Sequence, residues 1–267
     1  MSCLPLPDNR PLVTVNHQPY ALAVPRVALI AITKNGVQQA ALLARQLPAA
    51  SLCVTEKFEP LLAGVTNPVY SYNGPTRDEI AGFFDHFDQL VFFISLGAVV
   101  RLIAPHLKSK HQDPGVTVVD EAGHYVIPVL SGHVGGANAY ALHIAQLLGG
   151  TAVLTTASDV GQTIPVDVLG HELGWVVESP KINITRASAA VVNDEPVALI
   201  QEAGSPHWWT RPTPLPTNIH PFTRFEDVDL DQFKAVLWIT HAEVTPAHWA
   251  QLHERLVVYR PPQGQGA

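Results

Sequence analysis

The first 160 residues repeat one pattern: a short apolar run, a small or polar bend, then a stretch with helical spacing. RVALIAI (26–32), SLCVT (51–55), QLVFFIS (89–95) and TAVLT (151–155) are apolar runs of strand length. Between them, GVQQAALLARQL (36–47) sets Val37, Ala40, Ala41, Ala44 and Leu47 on one stripe. GANAYALHIAQLL (136–148) does the same with Ala137, Tyr140, Ala141, Ile144 and Leu148, and Gly149-Gly150 ends it. That spacing belongs to amphipathic helices. TRDEIAGFFDHF (76–87) and GAVVRLIAPHL (97–107) read as two more helices, the second ended near Pro105. Strands alternating with helices need crossovers, and so a mainly parallel sheet covered on both faces. The expected fold class is α/β, with a doubly wound domain over 22–160.

One pair breaks the alternation. VTVVD (116–120) and YVIPVL (125–130) flank only EAGH, which reads as a hairpin. Pro128 predicts an edge or a bulge in its second strand.

After residue 160 the texture changes. IPVDVLGHEL (164–173) predicts a short helix with Pro165 in its first turn, and NITRASAAVVN (183–193) a longer one. GWVVE (174–178), EPVALIQE (195–202), KAVLWIT (234–240) and RLVVY (255–259) read as strands. SPHWWTRPTPLPTNIHP (205–221) is too rich in proline for regular structure. A second, smaller α/β domain is expected over 161–260, with an N-terminal arm over 1–21 and a tail over 261–267.

Composition narrows the function. Of 267 residues, 47% are hydrophobic and 15% charged, enough to bury a large core. The net charge of -7 argues against a nucleic-acid partner. No run of 18 uncharged apolar residues predicts a membrane span, and the proline-broken N-terminus lacks a signal-peptide pattern. The two cysteines, Cys3 and Cys53, form neither a metal spacing nor a disulfide framework, so a cytoplasmic setting is expected. No metal site is expected either: His106 and His111 lack i, i+4 spacing, and H-E-x-x-H is absent. G-x-S-x-G is also absent.

Ligands of open parallel sheets bind outside the carboxyl ends of the strands. Thr33, Lys34, Asn35 and Gly36 follow the first run; Ser95, Leu96 and Gly97 follow QLVFFI, with Arg101 one turn on. Ser131, Gly132, His133, Gly135, Gly136 and Asn138 follow YVIPVL, and Thr155, Thr156 and Asp159 follow TAVL. Backbone N–H groups at such bends favour anions. Taken together they predict one anionic, hydroxyl-rich ligand site; ordinary capping explains any single turn except 131–138, where no simple turn needs so many glycines and a functional role is expected. The 131–138 bend matches neither phosphate-loop template, which disfavours a nucleotide-binding regulatory module. His133 reads as a general acid or base, or as a cap for its own loop. Asp120 and Glu121 pair at the hairpin tip, roughly 20 Å from His133 at ~3.3 Å per residue, and read more as a solvated turn. Within the basic stretch Arg101, His106, Lys108, Lys110 and His111, only Arg101 lies near a strand end. Trp208-Trp209 could wall a flat ligand or join the core.

Four ordered motifs lie within 95–160: G-A-x-V-R-x-x-A-P-H-L from Gly97, D-P-x-V-x-V-V-D-E-x-G from Asp113, L-S-G-H-x-G-G-A-N from Leu130 and T-T-A-x-D from Thr155. Through them the segment resembles the N-terminal domain of the CbiG family, the cobalt-precorrin-5A hydrolases of cobalamin biosynthesis. Residues 161–260 are similar to that family's central domain. The resemblance implies hydrolytic opening of the ring-A δ-lactone of cobalt-precorrin-5A, with release of acetaldehyde to give cobalt-precorrin-5B. It implies a tetrapyrrole substrate that carries the cobalt, and no cofactor of the protein's own.

No catalytic residues carry over with the resemblance, so the strand edges supply the candidates. His133 and Asp159 are the expected catalytic groups. Gly97, Arg101, Ser131, Gly132, Gly135, Gly136, Asn138, Thr155 and Thr156 are the expected substrate-holding residues, with Asp120 and Glu121 as alternative carboxylates. Family members continue, after a strand like VVYRPP, into a third domain, whereas this sequence stops at PPQGQGA. Either that domain is a separate CbiG C-terminal-domain protein, which would then be a partner, or this chain needs none; a homodimer is left open. The alternative function is a non-catalytic corrinoid-binding subunit.

Overall fold

The computed structural model describes residues 25–264. The arm expected at 1–21 and residues 265–267 of the expected tail lie outside the described residues. The chain forms two compact units, with the boundary in sequence between Thr156 and Ala157.

In the first unit the strands are β1 (Val27–Ala31), β2 (Ser51–Thr55), β3 (Val69–Tyr72), β4 (Gln89–Phe92), β5 (Gly115–Val119), β6 (Tyr125–Leu130) and β7 (Thr151–Ala152). Among the described residues they make a seven-stranded sheet in the order β3-β2-β1-β4-β5-β6-β7. Its helices are α1 (Lys34–Ala44), α2 (Ile80–His86), α3 (Leu96–Ile103) and α4 (Ala137–Leu148). α1 and α4 send Val37, Ala40, Ala141 and Ile144 into one core cluster. α2 and α3 send Ile80, Phe83, Val99 and Ile103 into another, on the opposite face of the strands. The doubly wound α/β sheet read from the sequence is thus present, and its winding reverses between β1 and β4.

β1 to β5 all pair in parallel. β6 returns antiparallel to β5, and β7 runs parallel to β6. The short EAGH connection permits only this return, because a parallel neighbour needs a long crossover. Pro128 stands opposite Thr117, where the ladder shifts register. The bulge expected from Pro128 is there, although β6 is an internal strand.

Cys53 is fully buried in the second of these clusters. Burial, and then the charge of Glu79, push its thiol up to about 12. At pH 8 the folded protein should therefore leave Cys53 unmodified by iodoacetamide, whereas denatured protein should react there. Peptide mass spectrometry of the two samples checks this.

The second unit holds α5 (Ala157–Val160), β8 (Val176–Glu178), α6 (Lys181–Val192), β9 (Val197–Gln201), β10 (Ile219–Phe222), β11 (Ala235–Ile239), α7 (Pro246–Gln251) and β12 (Leu256–Arg260). Among the described residues its sheet has five strands, β10-β9-β11-β12-β8, with only β8 antiparallel. Trp175 is buried against Gly170 and Gly204, both at positive φ (69° and 78°), where a side chain would strike its ring.

Two expectations fail here. Residues 164–173 are not a helix but a run of turns ending in a 3-10 turn, His171–Leu173. Gly170 at φ 69° cuts any helical course. The proline-rich stretch 205–221 is not wholly irregular, since Ile219–Phe222 forms β10. Pro221 is tolerated because β10 is an edge strand. The preceding Trp208 and Trp209 pack on the core of this unit. Their indole N–H groups donate to Gln201 Oε1 at 2.9 Å and Thr213 O at 2.7 Å.

Candidate active site

The antiparallel return of β6 decides where the sequence-predicted site residues go. The carboxyl ends of β1, β4 and β5 share one edge of the first sheet. The carboxyl ends of β6 and β7 lie at the opposite edge. The four bends therefore do not form one crevice: 33–36 and 95–97 sit at the first edge, 131–138 and 155–156 at the second.

At the second edge the 131–138 bend is pressed onto the amino ends of β4 and β5. Gln89 Nε2 donates to Gly135 O at 2.5 Å. A side chain on Gly115 would meet Gly135 O at 2.7 Å, and one on Gly135 would overlap Ser131. A side chain on Gly132 would strike Asn138 Oδ1 at 2.5 Å. Gly136 takes φ 77° to start α4. Each glycine of the bend thus answers a close approach or a left-handed turn. Asn138, itself buried, donates to Thr156 Oγ1 at 2.5 Å and ties this bend to the next. Ser131 is held at φ 53°, and among the described residues its buried Oγ has no hydrogen-bond partner. His133 is half-buried within this packed bend. Asp159 belongs to the second unit, where Arg211 Nη2 pairs with its Oδ1 at 3.1 Å. That pairing differs from the expected role of Asp159 as a base beside the bend.

The first edge holds the switch point of the sheet, where open α/β folds place ligands. Ile30 pairs with Phe92 and Phe92 with Val118. Continuing that row by three residues aligns Thr33, Ser95 and Glu121. Thr33 caps α1: its Oγ1 accepts from Gly36 N at 3.1 Å. Gly36 is required here, because a side chain would press on Phe93 O at 2.5 Å. Thr33 Oγ1 also donates to Glu121 Oε1 at 2.5 Å. The two carboxylates of the hairpin tip then divide their tasks. Asp120 Oδ1 accepts from Tyr125 N at 2.6 Å and Oδ2 from Ala122 N at 3.2 Å, so Asp120 locks the turn. Glu121 is exposed, and among the described residues its Oε2 has no partner.

α3 begins beside this carboxylate. Ser95 caps it without a side-chain hydrogen bond. The N–H groups of Ala98 and Val99 both turn to Ser95 O, at 3.0 and 3.2 Å. Those of Leu96 and Gly97 are left as outward donors of the helix end. Arg101 is exposed in the last turn of α3, roughly 7.5 Å along the axis from Leu96 at ~1.5 Å per residue, which sets it back from the edge where the sequence placed it. Lys34 is exposed at the start of α1. The edge therefore offers one held, half-open carboxylate, helix-end donors and the Lys34 cation. That is a general base with groups for an oxyanion and for anionic arms.

Of the expected residues, Gly97, Asp120 and Glu121 lie at this edge, Arg101 is set back from it in the last turn of α3, and Ser131, Gly132, His133, Gly135, Gly136, Asn138, Thr155 and Thr156 lie at the other. Sequence reasoning left Thr33 as a bend residue without a role. The hairpin length was its one sequence signal; the strand order that places β5 beside β4, and so Glu121 within reach of Thr33, is visible only in the structure. Among the described residues no group of three or more His, Cys, Asp or Glu gathers as a metal site. Among them, also, no helix is long and apolar enough to cross a membrane.

Comparisons with known proteins bear on the same motifs. The family model for the cobalamin synthesis G N-terminal region matches residues 78–159, and that for the cobalamin biosynthesis central region matches 164–261. The cobalt-precorrin-5A hydrolase of Priestia megaterium is 42% identical over 88% of this chain and 62% of its own length. That of Salmonella typhimurium is 32% identical over 68% of this chain and 48% of its own. The chain thus spans between about half and two thirds of these curated relatives. A solved Sulfolobus solfataricus homologue of cobalamin biosynthesis protein G is 19% identical, covering 88% of this chain and 60% of that one, with a TM-score of 0.48. The chain belongs to the CbiG family of cobalamin-biosynthesis proteins, of which it carries the N-terminal and central regions.

Proposed function

We propose that this chain performs the hydrolysis for which its relatives are named, on cobalt-precorrin-5A, and that the reacting lactone sits at the carboxyl edge of β1, β4 and β5. The observation that carries this reading is Glu121, held through Oε1 by Thr33 and open at Oε2 at the switch point of the sheet. Glu121 takes a proton from water as the water oxygen adds to the lactone carbonyl. The N–H groups of Leu96 and Gly97 take up the oxyanion. Collapse breaks the ring C–O bond, and the leaving oxygen recovers the proton from Glu121. The products of this step are an alcohol and a carboxylic acid, which gives its proton to solvent. Glu121, again a free carboxylate, takes the alcohol proton as the carbonyl of acetaldehyde forms and the adjoining C–C bond breaks, with its electron pair passing into the macrocycle. Lys34 holds an acidic arm of the ring at this edge. Cobalt enters as part of the substrate, and the protein adds no cofactor.

The test is acetaldehyde release when the purified chain is incubated with cobalt-precorrin-5A. Turnover is expected. Tight binding without acetaldehyde overturns the hydrolase reading in favour of a corrinoid-binding subunit that works with a C-terminal-domain protein. In the same assay His133→Ala separates the two edges. If it abolishes turnover while Glu121→Gln does not, the chemistry lies at the 131–138 bend.

A further inference from the structure

We infer that Thr33 is a positioning residue for the Glu121 carboxylate, acting through that side chain and not on substrate. The inference rests on the reading of the carboxyl edge given above. β1 and β5 are separated by β4, so their end residues stand roughly 10 Å apart at ~4.8 Å per strand spacing. Glu121 spans that gap to reach Thr33 Oγ1 at 2.5 Å. A glutamate side chain on an exposed hairpin tip otherwise samples many rotamers. Thr33 is itself fixed, because its hydroxyl oxygen accepts from Gly36 N and Gly36 is wedged against Phe93 O. The hydroxyl proton is thereby directed at Glu121. Asp120 fixes the other end of the arch by locking the turn that carries Glu121. One carboxylate oxygen is thus anchored by Thr33 across β4, on a turn locked by Asp120, and the second carries no hydrogen bond among the described residues. General-base catalysis needs such a geometry, since a displacement of about 1 Å can cost ~100-fold.

The bland account is that Thr33 only caps α1. Substitution by aspartate separates the two. Asp caps a helix as well as Thr does, but an ionised Asp cannot donate to a carboxylate and repels it instead; Thr33→Gly, which caps about as well as Thr and carries neither hydroxyl nor charge, is the control that should show the same fall in kcat. Thr33→Asp should melt like wild type, while kcat for acetaldehyde release from cobalt-precorrin-5A falls about 10- to 100-fold with KM little changed. Thr33→Ser keeps both bonds and should retain kcat within about threefold. In a Glu121→Gln background, Thr33→Asp should cost almost nothing further, because coupled residues are not additive. Full kcat in Thr33→Asp, or a loss that adds fully to that of Glu121→Gln, overturns the inference and leaves Glu121 in place. Full turnover by Glu121→Gln, or no turnover by the wild-type chain, overturns the reading of the edge itself.

Discussion

Replacing Glu121 by glutamine should lower kcat for acetaldehyde release by about 10²- to 10⁴-fold, the usual span for loss of a general base. The substitution is close to isosteric. Its amide oxygen can still accept from Thr33 Oγ1, so the bridge across β4 survives. Glu121 is exposed, and exposed substitutions usually change stability by no more than about 0.5 kcal/mol. The melting temperature should therefore stay put while turnover collapses. Asp120→Asn should behave in the opposite sense. Asp120 accepts from Tyr125 N and Ala122 N, so its loss loosens the turn and acts on Glu121 only indirectly. Parallel kcat, KM and melting measurements on the two variants check the division of labour. Equal loss of turnover with unchanged melting in both would show a true carboxylate pair instead.

Gly135→Val has the largest expected effect on folding. Its Cβ would overlap the Ser131 side chain and sit 2.9 Å from Ser131 O and 3.2 Å from Gly115 N. Two of those atoms are backbone, and Ser131 is already held at φ 53°. The bend has no slack to absorb a side chain. Overpacking of this kind costs typically about 1–3 kcal/mol and sometimes more. At about 2–4 °C per kcal/mol for a protein of this size, the melting temperature should drop by roughly 5–10 °C. Protein that remains folded should turn over substrate near the wild-type rate. A 100-fold fall in kcat at unchanged melting would instead make Gly135 part of the chemistry, as an oxyanion donor.

These two variants show where sequence reading reached the fold and where it stopped. Strand–helix alternation and apolar stripes reflect burial against a sheet, which is local in sequence, so β1, β2, β4, α1, α4 and α6 were legible. Strand order is not local, and the site depends on it. The hairpin at 121–124 was legible, yet its consequence was not followed through. An antiparallel return sends the next carboxyl end to the far edge, and the bend after β6 cannot share a crevice with the bends after β1 and β4. The glycines of 131–138 were legible as unusual but not as packing, because Gln89 and Gly115 lie far from them in sequence. β3 was missed: it is an edge strand of four residues, half exposed and too short for a clear alternation. α7 was missed despite an available signal. Thr245 caps it, Pro246 opens it, and His248 completes a capping box.

The hydrogen bond from Asn138 to Thr156 has a practical consequence for taking the protein apart. Thr156 is the last residue of the first unit, and it is fastened by a side chain that is itself buried. The end of this unit is therefore an anchorage and not merely the start of a linker. Fragments, fusions or permuted chains that keep Thr156 retain the closure of the 131–138 bend. Those cut back to the end of β7 at Ala152 lose this hydrogen bond and leave the bend held to β4 by Gln89 alone among these side-chain ties.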